Sequence, residues 1–566
     1  MKPSLRFPVR RPGGSRLLLE LDLTRGLHEA PPASPLEMAR ARHVPTLRSV
    51  VEALRKAAAD DRVAGLVAHL GTRHLSLSQS SELRAAVKAL SDAGRPTVCW
   101  TESFGELGPG NVPYHLASGF DEVWLQPSGD VGLVGVSAEA VFLRDTLDKV
   151  GVQPQIGRRA EYKTAADVFL ESGMTDAHRE MLSRIVESAT EVVVGEVAEG
   201  RRLSQEDVRA ALDVAPLSAE EALERRLVDR LGYRDEVYAD LRKRLGDVDL
   251  RYVERYGKGL AQVAGSFAGA RSAVTRRDWP VVAVVQASGP IHLGRSHASP
   301  VSGRSVGSDT LGAALRAAAA DESVKAVVLR VDSPGGSYVA SDAIRREVHA
   351  LRRTGRPVVA SMANVAASGG YYIAMPADVV IAAPGTLTGS IGVLAGKQVI
   401  RDALARAGVR RESVSSGRYA EMFSTQRPFD EDEWQRLEGW LDRVYEDFVG
   451  KAATDRGMPV ERMREVAGGR VWTGADAAGI GLVDELGGLA HAIDLACARI
   501  GAERADVEVK ALPKLSPLER LRPAESSESP AAARLGEGLP LLERALGLAG
   551  LPSHGVLTMP VTWRLR

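Results

Sequence analysis

Residues 377–393 read "ADVVIAAPGTLTGSIGV", and residues 120–136 have already read "FDEVWLQPSGDVGLVGV". Working outward from this pair, "GRPTVCW" (94–100) returns as "GRPVVAS" (355–361) and "RDTLDKVGV" (144–152) as "RDALARAGV" (401–409). Further on, "RRLVDRLG" (225–232) returns as "IGLVDELG" (480–487). Tyr114 matches Tyr371, Pro127 matches Pro384, Arg144 matches Arg401 and Gly151 matches Gly408, each 257 positions on (371 − 114). The register therefore holds without a gap from 114 to 151. Before that block the offset is 261 (355 − 94), which puts a four-residue insertion near 101–110 in the first copy. Self-similarity at so long a period means one folding unit written twice.

Each copy carries the same local pattern. An apolar run ("GLVAHL", 65–70; "AVVLRV", 326–331) leads to an amphipathic stretch ("SSELRAAVKAL"; "SDAIRREVHAL"). Then come "GRP", a second short apolar run, a helical segment and a third run ("EVWL"; "VVIA"). Strands alternating with amphipathic helices point to an α/β layered fold. The expected division is an N-terminal repeat over 1–245, a polar, helical linker over 246–279, a C-terminal repeat over 280–505 and a tail over 506–566. Within the tail, 522–538 has the Pro, Ser and Glu content of a mobile segment, and 539–551 reads as a docking helix rather than a membrane anchor.

Composition excludes several classes of function. A length of 566 residues allows about three to four domains. Lys plus Arg (73) equals Asp plus Glu (73), so no global charge argues for a nucleic-acid partner. Cys99 and Cys497 sit in apolar surroundings with neither metal spacing nor a disulfide framework, and read as packing residues. No apolar run reaches the ~18–20 residues that span a bilayer, and "MKPSLRFPVRRPGGSRLLLELDL" lacks a signal-peptide core. The expectation is a chain in the cytoplasm or attached peripherally to a membrane, with no cofactor.

The two copies differ where chemistry would sit. In the 257 register Ser368, in "NVAASGGYYIAMPAD" (364–378), faces Asn111. "DSPGGS" (332–337) has no counterpart in the first copy, which reads "LGTRHLSLS" there. Conversely Lys163, in "RRAEYKTAADVF" (158–169), faces Ala420. One copy keeps a serine in a glycine-rich turn and the other keeps a lysine. Alone, Ser368 is a small packing residue and Lys163 a solvated surface charge. Together they are the complementary losses that one composite site shared by two repeats would leave.

A serine hydroxyl needs a base, and a lysine serves only when neutral. Burial between two repeats disfavours the ammonium form and lowers its pKa. The oxyanion of acyl transfer needs backbone donors. "SPGG" is either an ordinary type II turn or, with Gly369, a source of them. A histidine base stays open: His292 and His297 flank "IHLGRSHASP", and His349 reads as a surface residue, but none is tied to Ser368 by spacing. There is neither a G-x-S-x-G elbow nor an H-E-x-x-H metal site. Two rival readings are a non-catalytic scaffold that binds hydrophobic peptides and a crotonase-like acyl-CoA enzyme.

"VDSPGGS", "ANVAASGGYYIAMPAD" and "GTLTGSIGV", with "YKTAADVF" in the preceding copy, resemble the long, duplicated form of the signal peptide peptidase family, also called protease IV. The resemblance covers roughly 45–500. It implies two tandem Clp/crotonase-type spirals of β-β-α units. It implies Ser368 as nucleophile, Lys163 as general base, Gly369 with Gly335 or Gly336 at the oxyanion, and Ser390 orienting the lysine. It further implies a homo-oligomer, a tetramer in the duplicated form, that cleaves short hydrophobic peptides such as spent signal peptides without ATP or metal. Many relatives carry a membrane-spanning anchor at the N-terminus, which this sequence does not show, so membrane contact is expected to be peripheral.

Overall fold

A computed structural model describes residues 16–30, 44–71, 75–106, 108–256, 279–299, 303–512 and 557–558. The apolar runs become strands buried on both faces, as parallel strands covered by helices must be. In the first repeat six strands lie in the order Arg230–Leu231, Glu122–Leu125, Thr97–Thr101, Val63–His69, Arg16–Asp22 and Val248–Tyr252, all parallel. In the second repeat the order is Glu485–Leu486, Val379–Ala382, Val358–Ala367, Val324–Ser333, Val281–Ser288 and Glu508–Leu512, again all parallel. The two sheets are the same sheet twice. In the second repeat, main-sheet strands run on into short strands of a side sheet (Ile291–His292, Gly335–Gly336) before the next helix, the β-β-α turn expected of the fold.

The duplication extends to single hydrogen bonds. Asp121 accepts from the Thr97 N–H at 2.8 Å and Asp378 from the Val358 N–H at 2.8 Å. The Tyr114 hydroxyl donates to the Leu227 carbonyl at 2.7 Å, and that of Tyr371 to Leu482 at 3.0 Å. Asp229 accepts from the Val123 N–H and Asp484 from the Val380 N–H. Cys99 and Cys497 are buried and unbridged.

Two segments differ from the reading of the sequence. Residues 246–256 form the Val248–Tyr252 strand and a short 3-10 turn rather than a helix, and they join the first sheet. The charges of "VDLRYVER" disguised the strand; Val248 is its buried apolar residue, and Val253 and Tyr256 bury just after it. Likewise Glu508–Leu512, placed in the tail, completes the second sheet. The rest of the linker, 257–278, and the tail segments 522–538 and 539–551 lie outside the described residues. Among the described residues no helix is long and apolar enough to cross a membrane.

Two features lock the repeats together. Gln153–Arg159 of the first pairs antiparallel with Val393–Val399 of the second, forming a two-stranded ribbon across the boundary. Arg330, 1% exposed in the second sheet, reaches the first repeat, where its guanidinium meets Glu82 at 2.6 Å and Glu29 at 2.7 Å. A buried guanidinium without such partners would be costly, so this contact fixes the docking.

Candidate active site

Ser368 stands where the Val358–Ala367 strand breaks into the Gly369–Ala374 helix. Its backbone is left-handed, with φ 55° and ψ −115°, a strained conformation for a residue with a Cβ. The strain is held by the Ser368 N–H donating to the Gly389 carbonyl at 2.7 Å and the Tyr372 N–H donating to the Ser368 carbonyl at 2.9 Å. The glycines after it are steric necessities. A Cβ on Gly370 would lie 2.4 Å from the Ser333 carbonyl oxygen, and one on Gly369 2.7 Å from Ser341 Oγ.

Lys163 reaches this elbow from the other repeat. The ribbon strand ends at Arg159, Ala160 turns at φ 76°, and Lys163 precedes the Thr164–Ala166 turn. Its Nζ lies 2.8 Å from Ser368 Oγ, 3.0 Å from Ser390 Oγ and 3.0 Å from the Ser390 carbonyl oxygen. The side chain is 1% exposed, and burial lowers the amine from the ordinary lysine value of 10.5 to about 7. Among the described residues no carboxylate is hydrogen-bonded to it. A neutral amine has two N–H bonds and one lone pair. If both N–H bonds go to Ser390, the lone pair faces the Ser368 hydroxyl, the arrangement a general base needs. Two glycines make room for the lysine: a Cβ on Gly469 would lie 2.6 Å from Lys163 N, and one on Gly392 3.2 Å from Lys163 Cδ. Ser390 is itself left-handed at φ 52° and is held by its N–H donating to the Arg470 carbonyl at 2.7 Å.

Gly369, Gly335 and Gly336 sit beside this pair. Gly369 opens a helix, where backbone N–H groups have no intrahelical acceptor. A Cβ built on Gly369 would be 3.1 Å from Gly336 N, so these two backbones meet. The Gly335 N–H donates instead to Ser333 Oγ at 3.2 Å. Gly335–Gly336 also pairs antiparallel with the Leu557–Thr558 backbone, so this edge accepts an extended chain.

His292, His297 and His349 make no hydrogen bond to Ser368. The rings of His292 and His297 lie 4.7 Å apart, with His292 Nε2 2.9 Å from Ser305 Oγ. His349, expected on the surface, is partly buried against Asp455 because its helix face packs on the 431–455 helix. Three further arrangements escaped the sequence reading. Asp167, fully buried one turn after Lys163, accepts from Arg158 of the ribbon and lies 3.1 Å from His178 Nδ1. In the first repeat Asn111 occupies the place of Ser368. Its amide donates to the Gly135 carbonyl at 2.7 Å and accepts from the Gly135 N–H at 3.1 Å, bonding to the counterpart of Gly392. Finally, Ser80 Oγ, His115 and Glu196 form a chain with distances of 2.6 and 2.9 Å. It resembles a catalytic triad, but Ser80 lies within a helix, its N–H bonded to the Ser76 carbonyl. Only the i, i+4 spacing of Lys163 and Asp167 and the register match of Asn111 to Ser368 were visible beforehand.

The chain matches the family model "Peptidase family S49" over residues 89–249 and 350–502. It is 33% identical over 457 residues to "Serine protease SPPA, chloroplastic" of Arabidopsis thaliana, across 80% of this chain and 65% of that protein. It is 32% identical over 463 residues to "Protease 4" of Salmonella typhi, across 79% of this chain and 71% of that one. It is 31% identical over 467 residues to "Protease 4" of Haemophilus influenzae, across 80% and 73%. The chain thus spans just under two thirds of the plant relative's length and somewhat more of the bacterial ones.

Proposed function

The chain belongs to peptidase family S49, and from that premise we propose that it is a serine endopeptidase built on a Ser368–Lys163 dyad. The single observation that carries this reading is the 2.8 Å approach of Lys163 Nζ to Ser368 Oγ, with both side chains buried. Neutral Lys163 takes the Ser368 proton as Oγ attacks the scissile carbonyl. The Gly369 and Gly336 N–H groups, with Gly335 shaping the strand, stabilise the oxyanion. The Lys163 ammonium then protonates the leaving amine. Water, activated by the same amine, releases the acyl group and restores Ser368. Ser390 keeps the lysine aimed throughout.

The substrates in this reading are short hydrophobic peptides, cleaved signal peptides among them, bound as an extended strand on the Gly335–Gly336 edge. The N-terminal repeat, which runs on through the Val248–Tyr252 strand, supplies the base, and the C-terminal repeat, which runs on through Glu508–Leu512, supplies the nucleophile. The working form is a homotetramer with peripheral membrane contact. The test is hydrolysis of a fluorogenic hydrophobic peptide by the wild type, Ser368→Ala and Lys163→Ala. Loss in both variants supports the dyad, and near-normal turnover in Lys163→Ala removes it.

A further inference from the structure

The strand that leads to Ser368 is not evenly paired with its neighbour. Val331 stands opposite Met362, but the next pair is Ser333 opposite Ala366. Asp332 alone therefore faces Ala363, Asn364 and Val365, a bulge of the kind that re-aims residues beside active sites. Bulged residues lose their ladder partners, and an N–H taken from water must find another acceptor. The Asp332 carboxylate supplies it. Its Oδ1 accepts from the Val365 N–H at 3.2 Å, and the Asn364 N–H faces the same carboxylate. The first repeat holds the bulge from the other side, where Ser78 Oγ donates to Asn364 Oδ1 at 2.7 Å and Ser76 Oγ meets the same oxygen. Thr386 fixes the remaining residue, donating to the Ala363 carbonyl at 2.6 Å.

Position gives the Asp332 contact its meaning. Asp332 lies three residues before Gly335, and Val365 lies three before Ser368. One hydrogen bond thus ties the root of the glycine strand to the root of the serine elbow. Arg330, on the same strand, directs its guanidinium elsewhere: to Glu82 and Glu29, to Ser361 Oγ at 2.9 Å and to the Met362 carbonyl at 3.3 Å. The first repeat has no carboxylate at this place. The offset of 261 that relates "AVVLRV" to "GLVAHL" puts Gly71 where Asp332 stands and Ser76 where Ser337 stands. Both serines cap the helix that follows, so the register holds across the loop. A Cβ on Gly71 would lie 2.7 Å from Thr24 Cα, so a carboxylate does not fit there. The carboxylate belongs to the copy that keeps the serine.

We infer that Asp332 is a positioning residue for acyl transfer: its carboxylate, seated in the bulge, fixes the spacing between the Gly335–Gly336 strand and Ser368, so that backbone donors and nucleophile meet at one carbonyl group. It does not touch the substrate. The inference rests on the Ser368–Lys163 reading and adds to it a group that governs the oxyanion side. A donor displaced by an ångström loses its hold on the transition state more than on the bound peptide, so the cost falls on kcat.

The test compares full-length wild type, Asp332→Ala and Asp332→Asn on one fluorogenic hydrophobic peptide, with circular dichroism as the check on folding. Asp332→Ala is expected to lower kcat about 10²-fold, with KM within about twofold of wild type. Asp332→Asn keeps an acceptor oxygen but not its charge, and is expected to lose only about tenfold. A peptide aldehyde, whose carbon accepts Ser368 Oγ and turns its oxygen toward the glycine donors, should bind more weakly by the same factors. The same peptide ending in an amide should bind all three proteins equally. A KM that rises while kcat holds overturns the inference, and so does an aldehyde affinity that stays at the wild-type level. If Asp332→Ala does not fold, Asp332→Asn decides alone by these two readings. Wild-type turnover in Ser368→Ala would remove the dyad itself, whereas wild-type kcat in Asp332→Ala removes only the role given to Asp332.

Discussion

Lys163 Nζ lies 2.8 Å from Ser368 Oγ although 205 positions separate them in the chain. The serine elbow is held within the second repeat, and the lysine comes to it across the boundary. The ribbon between 153–159 and 393–399 delivers the turn that carries the lysine, and Ser390 aims its nitrogen. The contact is a property of the boundary.

Removing either member should abolish turnover without unfolding the protein. Ser368→Ala and Lys163→Ala are each expected to lower kcat/KM on a hydrophobic peptide by about 10⁴-fold or more. Circular dichroism and urea midpoints check that the fold persists.

The buried amine sets both pH dependences. With Lys163 at about 7, activity is expected to rise as pH increases through that value and then level off. For stability, the unfolded lysine keeps its proton up to its ordinary value of 10.5 while the folded one loses it near 7. Between those values the unfolded state binds more protons, so stability should rise with pH across that window. Lys163→Met removes the cost of burying the charge and is expected to stabilise the inactive protein by about 2 kcal/mol below pH 7. A urea midpoint lower than that of the wild type would contradict this.

Crowding the lysine should impair catalysis more than folding. Gly469 has φ 75°, and its Cβ would strike the Lys163 backbone at 2.6 Å. Gly469→Ala is expected to cost ~10²-fold in kcat through misplacement of the amine. Gly392→Ala should act in the same direction through Lys163 Cδ. Full kcat in either variant, with the fold intact, would show that the amine is not held as described.

Asp167 should act through Lys163 rather than on substrate. Its carboxylate holds Arg158 and His178 around the lysine-bearing turn. Asp167→Asn is expected to loosen that turn, admit water and move the activity profile to higher pH, with KM little changed. Asp167→Glu should partly restore it. A uniform loss at every pH would mark a merely structural role.

Breaking the charged lock between repeats should destabilise the whole chain. Arg330→Met strands Glu82 and Glu29 and is expected to cost about 3–5 kcal/mol in urea unfolding.

The duplication was legible because both copies kept Tyr, Pro, Arg and Gly at one spacing. The meeting of Lys163 with Ser368 was legible because each copy lost what the other retained. Arg330 was hidden inside an apolar strand pattern, since its partners Glu29 and Glu82 lie in the other repeat. The Val248–Tyr252 strand was hidden by its own edge position, where exposed charges mask a few buried apolar groups. Ser80, His115 and Glu196 come from three separate helices, and no spacing announces their meeting. Local periodicity reveals elements, but the partners of a buried charge come from tertiary packing.

The most direct test is the rate at which a serine-directed fluorophosphonate labels the protein, followed against pH. Stoichiometric labelling at Ser368, faster as pH rises through about 7 and lost in Lys163→Ala, is the expected result. Labelling of Lys163→Ala at the wild-type rate would contradict the claim that this lysine activates this serine.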